Sequence, residues 1–194
     1  MLLLYATRDG QARRIATRIA SGLADEGIGI SPQNLAMGLP VMYELAAVPL
    51  VVLVAAVRYG RHLPEAERLM AAYRASASQA PLVFISVNLT ARKPDRDSAE
   101  TNQYLRKSIA RHRLTPAFAM AVAGRLDYQR YGWRDRQIIR LIMKLTGGPT
   151  DPQSCTEFTD WSAVDAIARR VAELLRRSGR HGVGDDAPTF EPAF

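Results

Sequence analysis

Leu2-Leu3-Leu4-Tyr5-Ala6-Thr7-Arg8-Asp9-Gly10-Gln11-Ala12 is the stretch on which the fold turns. An apolar run breaks into a short polar loop, and a helical pattern opens at Ala12. We read a buried strand, a phosphate-holding loop and a helix N-terminus. Gly10 lets the backbone turn tightly, and the first helical N–H groups, lacking intrahelical partners, point at whatever anion sits there. Thr7 adds a hydroxyl donor at the strand end. The loop is too short for a P-loop, lacks its Lys-Ser/Thr ending, and lacks the second and third glycines of a dinucleotide fingerprint. That favours a mononucleotide phosphate, with flavin mononucleotide (FMN) the leading candidate. The same pattern also describes any strand–turn–helix unit.

Working outward, Ile15, Ile19 and Leu23 recur at helical spacing with Arg13, Arg14 and Arg18 on other faces, so the first helix packs on a sheet. Gly29 to Leu35 reads as a weaker strand, which Pro32 confines to an edge or a short pairing. A short helix is expected within Met37 to Leu45. Pro49 to Ala56 is continuously apolar, as strands buried on both faces are. It ends abruptly in Val57-Arg58-Tyr59-Gly60-Arg61-His62, where an aromatic can stack on a planar ring and a guanidinium can bond its edge. The alternative is that Tyr59 covers the sheet end and Arg58 is solvated.

A helix over Pro64 to Arg74 follows, then a fourth strand over Leu82 to Val87 that ends in Asn88-Leu89-Thr90. A polar, Pro-containing loop over Arg92 to Asp97 leads to a helix over Glu100 to His112, and Pro116 precedes a fifth strand over Ala117 to Ala123. Alternating strands and helices specify an α/β fold with a doubly wound, five-stranded parallel sheet. Three polar loops leave its strands at their carboxyl ends, where such sheets place ligands.

The chain does not go directly into its last helix. An insert over about 124–158 carries Arg125, Tyr128, Arg130, Tyr131, Trp133, Arg134, Arg136, Arg140 and Lys144. Arg136, Arg140 and Lys144 repeat at i, i+4 beside the apolar Ile138, Ile139, Leu141, Ile142, Met143 and Leu145, a pattern that suits a helix at a membrane surface or one packed on its own domain. The final helix is expected from an N-cap at Thr159 or Asp160, burying Val164, Ile167, Ala168, Val171, Leu174 and Leu175. One domain over 1–178 and a disordered tail over 179–194, rich in Gly, Asp and Pro, complete the reading.

Charge locates a second feature. Between Thr90 and Lys144 there are 13 Lys/Arg against 5 Asp/Glu, so the whole formal excess of +7 lies in that segment. An anionic partner is implied: a carboxylated substrate, an acidic lipid surface or an acidic protein. No recognition motif supports nucleic acid. The single Cys155 and the scattered His62, His112 and His181 exclude an internal disulfide and argue against a metal site. No signal-peptide pattern opens the sequence and no apolar run is long enough to span a bilayer, so a cytoplasmic location is expected. A homo-oligomer is compatible with these features.

Six strings together resemble the flavodoxin superfamily, and more narrowly the bacterial quinone-dependent protoporphyrinogen oxidases: Ala6-Thr7-Arg8-Asp9-Gly10-Gln11, Arg58-Tyr59-Gly60, Ser86-Val87-Asn88-Leu89-Thr90-Ala91-Arg92-Lys93-Pro94, Trp133-Arg134-Asp135-Arg136, Leu141-Ile142-Met143-Lys144 and Thr159-Asp160-Trp161. The resemblance implies a flavodoxin-like sheet of order 2-1-3-4-5 with FMN held at the three loops. By position, Thr7, Arg8, Asp9, Gly10, Gln11 and Ala12 match the phosphate loop. Arg58, Tyr59 and Gly60 match one side of the isoalloxazine, and Ser86, Asn88 and Leu89 the other. Ala6 and Ala12 stand where hydroxyl residues are common, and Asp9 adds a negative charge, so phosphate binding is expected to lean on backbone N–H groups, Thr7 and Arg8.

The implied activity is oxidation of protoporphyrinogen IX to protoporphyrin IX in heme biosynthesis, with electrons passed to menaquinone or ubiquinone at the inner face of the cell membrane. Arg92, Lys93, Arg125, Arg130, Trp133, Arg134, Arg136, Arg140 and Lys144 are the candidates for contacting substrate propionates or an anionic membrane. No residue is singled out as a general base. A flavin-dependent NAD(P)H:quinone reductase and a non-catalytic flavin-binding module are the alternatives.

Overall fold

The structure is a computed structural model of the chain, describing residues 1–40, 42–76, 78, 80–127, 137 and 155–180. Within these, strands β1 (Leu2–Ala6), β2 (Gln33–Asn34), β3 (Val51–Arg58), β5 (Leu82–Val87) and β6 (Phe118–Val122) form a parallel sheet of order β2-β1-β3-β5-β6. β4 (Arg61–His62) folds back antiparallel on β3. Counting parallel strands alone, this is the expected 2-1-3-4-5 order. Alternation along each strand sends successive side chains to opposite faces. Leu3, Tyr5, Val52, Val54, Val83 and Ile85 face one core with α1 (Gln11–Asp25) and the last helix, α5 (Trp161–Arg180). Leu4, Leu53 and Phe84 face the other, with Leu69 and Met70 of α3 (Pro64–Ala75) and Leu105 of α4 (Gln103–His112). Both faces are covered, which is why these strands read as unbroken apolar runs.

The helices on the first face pack closely. A Cβ placed on Gly22 would lie 2.8 Å from the Cβ of Ala168, so α1 and α5 meet almost backbone to backbone. α5 begins where expected, with the Asp160 carboxylate accepting from the N–H groups of Ser162 (2.9 Å) and Ala163 (3.1 Å). It continues through Gly179 and Arg180, two residues into the expected tail, while 181–194 lie outside the described residues.

Four local differences from the expectations stand out, three of them with a plain physical cause. β2 is only two residues long, because Pro32 has no N–H to offer the ladder just before it. The short helix is displaced toward the C-terminus, as α2 (Met42–Ala47). α4 starts at Gln103 rather than Glu100, because Asn102 caps it, its carbonyl accepting from the N–H groups of Tyr104 (3.2 Å) and Leu105 (3.3 Å). The β3–β4 hairpin was not anticipated at all: Tyr59 and Gly60 form its two-residue turn with φ of 50° and 77°. Positive φ at both positions is what a tight hairpin turn of matching twist requires.

After β6 the insert opens as a separate antiparallel ribbon of β7 (Arg125–Asp127) and β8 (Cys155–Glu157). The expected basic helix, with Arg130, Trp133, Arg134, Arg136, Arg140 and Lys144, lies outside the described residues. Among the described residues, no helix is long and apolar enough to cross a membrane.

Candidate functional site

Register puts the three polar loops together. Ala6 of β1 is level with Ala55 of β3, which is level with Ser86 of β5, so the segments after β1, β3 and β5 leave one edge of the sheet side by side. In the first, the Thr7 hydroxyl oxygen accepts from Gly10 N–H at 3.0 Å, closing the loop, and Gly10 adopts φ 87° at the N-cap of α1. A non-glycine residue would be strained there. The first helical bond runs from Arg14 N–H to the Gly10 carbonyl (3.1 Å). The N–H groups of Gln11, Ala12 and Arg13 therefore have no intrahelical acceptor and face out of the helix end. The Ala12 side chain itself is fully buried in the core.

Charged side chains tether this loop to its surroundings. Arg8 makes a two-pronged ion pair with Glu65, at 2.6 and 3.2 Å, and Glu65 is only 3% exposed. The Arg8 guanidinium, expected to lean toward a phosphate, is held in this structure by a buried carboxylate in the first turn of α3. Asp9 lies 3.7 Å from the Arg58 guanidinium, so its charge is met by the second loop. Gln11 turns away from the loop mouth: its amide donates to Glu157 (2.9 Å) and to the Thr159 hydroxyl (2.8 Å), and Thr159 donates to the Ala123 carbonyl (2.7 Å). Arg14 also donates to Glu157 (2.9 Å). Burial opposes ionisation of Glu157, but the bonds from Arg14 and Gln11 outweigh it and hold the carboxyl below the usual range.

The second loop is the β3–β4 hairpin. Its tip residue Tyr59 is 68% exposed, carries a positive φ, and has the Arg58 guanidinium 5.4 Å from its ring centroid. A large aromatic held exposed in an uncommon backbone conformation marks a place where function is the natural explanation.

The third loop is a 3₁₀ turn over Leu89–Arg92, capped by Asn88, whose side-chain oxygen accepts from Ala91 N–H (3.2 Å). Leu89 is half-buried at its start. Ser86 and Asn88 do not present their side chains at the surface; both are buried in a polar chain. The Ser108 hydroxyl is 2.8 Å from His62 Nδ1, and His62 Nε2 is 2.8 Å from the Ser86 hydroxyl. Asn88 donates to Ser86 (3.0 Å), and Asn102 donates to the Asn88 carbonyl oxygen (3.1 Å). Burial lowers the His62 pKa from 6.5 to about 4; Glu67 raises it slightly, and Arg111 and His112 lower it. The ring is therefore neutral near pH 7, one nitrogen donating and the other accepting.

Of the basic candidates, Arg92 donates to the Leu89 carbonyl (2.9 Å) and lies 5.9 Å from the Phe158 ring, while Lys93 is exposed beside it. Arg125 is used inside the ribbon, donating to Cys155 Sγ (3.0 Å) and pairing with Asp127 (2.9 Å). Sequence reading overlooked Glu65, His62, Ser108, Asn102 and Glu157. Asn102, an Asn ahead of a helical pattern, had a legible capping signal; the others are joined only by long-range contacts that no local spacing encodes.

A flavodoxin domain model matches residues 2–153. Curated relatives named protoporphyrinogen IX dehydrogenase (quinone) are similar along most of the chain. The Escherichia coli K12 protein is 38% identical over 173 residues, covering 89% of this chain and 94% of its own length. The Leishmania major protein is 38% identical over 179 residues, covering 89% and 74%. Among solved structures, an archaeal flavodoxin superposes with a TM-score of 0.52 at 11% identity over 90% of this chain and 97% of its own. Rubredoxin oxygen:oxidoreductase from Desulfovibrio gigas gives 0.55 at 11% identity over 91% and 36%; these two speak to fold alone. Three loops on one edge of a 2-1-3-4-5 sheet and relatives of this identity lead to one conclusion: the chain is a flavodoxin-fold member of the protoporphyrinogen IX dehydrogenase (quinone) family of oxidoreductases.

Proposed function

We propose that this protein binds FMN across the three loops and oxidises protoporphyrinogen IX to protoporphyrin IX, passing the electrons to menaquinone or ubiquinone at the inner face of the cell membrane. The observation that carries this reading is the cradle itself: an α1 N-terminus with outward N–H groups, flanked by an exposed aromatic on one neighbouring loop and a capped turn on the other. These residues fit FMN. A phosphate at Gly10 would be held by the N–H groups of Gln11, Ala12 and Arg13 and by the Thr7 hydroxyl hydrogen. Arg8 and Asp9, each already paired, would shape the loop more than neutralise the ligand. Arg58, Tyr59 and Gly60 would cover one side of the ring, and the Asn88–Leu89 backbone the other, with Ser86 bracing that loop from beneath.

When bound, the flavin supplies the two-electron redox chemistry; the chain supplies position and field. Tyr59 can orient a planar ring by stacking, and the hairpin can exclude water from one of its faces. The substrate carries propionates, for which Arg92, Lys93 and the insert arginines Arg130, Arg134, Arg136 and Arg140 are suitable partners. Trp133 with Arg136, Arg140 and Lys144 suits a surface of acidic headgroups.

Anaerobic turnover tests the reading: protein reconstituted with FMN should oxidise protoporphyrinogen IX with a menaquinone analogue as acceptor. Flavin reduction by NAD(P)H but not by porphyrinogen would instead indicate a quinone reductase. Absence of any flavin binding at excess FMN would leave a non-catalytic module. Replacing Arg136, Arg140 and Lys144 together with Gln is expected to weaken binding to anionic liposomes while FMN affinity stays unchanged.

A further inference from the structure

Two of the three loops share a buried polar connection. β4 contributes only Arg61 and His62 to its pairing with β3, and so short a ladder cannot by itself fix the direction of the hairpin tip. Tyr59 at that tip is exposed and has a positive φ, so burial does not fix it either. What anchors the returning strand is the His62 ring, 3% exposed, with both nitrogens bonded: to Ser108 of α4 on one side and to Ser86 of β5 on the other. Ser86 in turn receives the Asn88 amide, and the Asn88 carbonyl caps the turn that begins at Leu89. A continuous path of hydrogen bonds thus runs from the base of one loop to the cap of the other. The hairpin also passes close to α4, since a Cβ on Gly60 would lie 4.0 Å from the Tyr104 ring.

We propose that His62 is a positioning residue of the flavin site: through Ser86 and Asn88 it sets the separation and tilt of the Tyr59 hairpin relative to the Asn88 loop. This rests on the reading of the three loops as the FMN cradle. His62 is buried and would act through its neighbours rather than on the ligand itself. Its two bonds have unequal consequences, because only the one to Ser86 continues to the opposite loop, whereas the one to Ser108 ends on α4. Every polar atom along the path is satisfied, so removing one link leaves a buried partner unpaired and lets the loops shift.

The test exploits that asymmetry. His62→Gln places its amide nitrogen near the Nε2 position and can keep the Ser86 bond; His62→Asn places it near Nδ1 and can keep the Ser108 bond. Both delete one hydrogen bond, so a merely structural role lowers the apoprotein Tm similarly in both and moves no flavin property selectively. The positioning role predicts that His62→Asn raises the FMN Kd about tenfold and shifts the bound-flavin absorption bands and midpoint potential, while His62→Gln stays within about twofold of the parent protein. Ser86→Ala and Ser108→Ala repeat the comparison with the histidine in place, should a His62 variant not fold; only Ser86→Ala is expected to move the flavin signature. Equal effects from the two members of both pairs would overturn the proposal. A parent protein that binds no FMN would overturn the cradle reading and this proposal with it, whereas normal FMN binding with indistinguishable variants would overturn this proposal alone.

Discussion

The loop after β1 and the loop after β5 border the same edge of the sheet but are held in opposite ways. The first is tethered by charge: Arg8 to Glu65, Asp9 to Arg58, and Gln11 and Arg14 to Glu157. Most of these partners reach solvent; Arg8 is 44% exposed, and among the charged groups Glu65 alone is nearly dry. The second is tethered by neutral groups, Ser108, His62, Ser86, Asn88 and Asn102, all under 5% exposed. On the proposed reading, the first loop faces a phosphate and the second a planar ring; hydrated ion pairs leave the one adaptable, and buried, fully satisfied hydrogen bonds give the other a fixed position. The two should therefore respond differently to mutation, acid and salt.

The largest effect is expected where the charged set has its one buried member. Arg8→Met would leave the Glu65 carboxylate unpaired at 3% exposure, and urea unfolding should show a loss of about 3 kcal/mol. Glu65→Gln paired with Arg8→Met should recover most of it, since the double variant buries no uncompensated charge.

Acid should find the neutral set first. Because the folded protein holds His62 at about 4 against 6.5 for the free side chain, the unfolded chain binds the extra proton between those values. Stability from this residue is complete above pH 6.5 and falls as pH drops toward 4, by up to about 3 kcal/mol in all. His62→Phe should flatten that part of the curve. Glu157 loses its contribution in the same direction but at lower pH: its depressed carboxyl pKa contributes above the ordinary carboxylate range, and that contribution is lost only as pH falls through and below that range.

Asn102→Ala should cost about 2 kcal/mol, through the lost α4 cap and the lost bond to Asn88, read again by denaturant unfolding. The smallest effect is expected at the exposed end of the charged set. Glu157→Gln should change stability by less than about 1 kcal/mol, and 1 M NaCl should shrink the difference further, because a screened surface pair contributes little. Salt sensitivity in the Asn102→Ala difference would break the contrast between the two loops.

Much of this molecule is local. Ile15, Ile19 and Leu23 declare a helix face, and Leu82 to Val87 a buried strand, because period and apolarity are properties of neighbouring residues. The three loop positions follow from such runs once a doubly wound sheet is recognised, whereas the strand order was implied by the family resemblance. The β3–β4 hairpin escaped because Tyr59 is not a residue type that signals positive φ, and a two-residue return strand has no periodicity. Arg8 and Ser86 were legible as loop residues, but not their commitments to Glu65 and to His62, which lie 57 and 24 positions away.

By itself, then, the sequence determined the main helices, the parallel sheet and the edge on which a ligand would sit, since each depends on burial patterns and turn residues readable over a dozen positions. Only the tertiary structure decided how that edge is organised: which charges around Gly10 are already paired, and that His62 lies between Ser108 and Ser86. Hydrogen bonds and ion pairs are short-ranged and directional, so their partners exist only once the sheet has brought distant segments within about 3 Å.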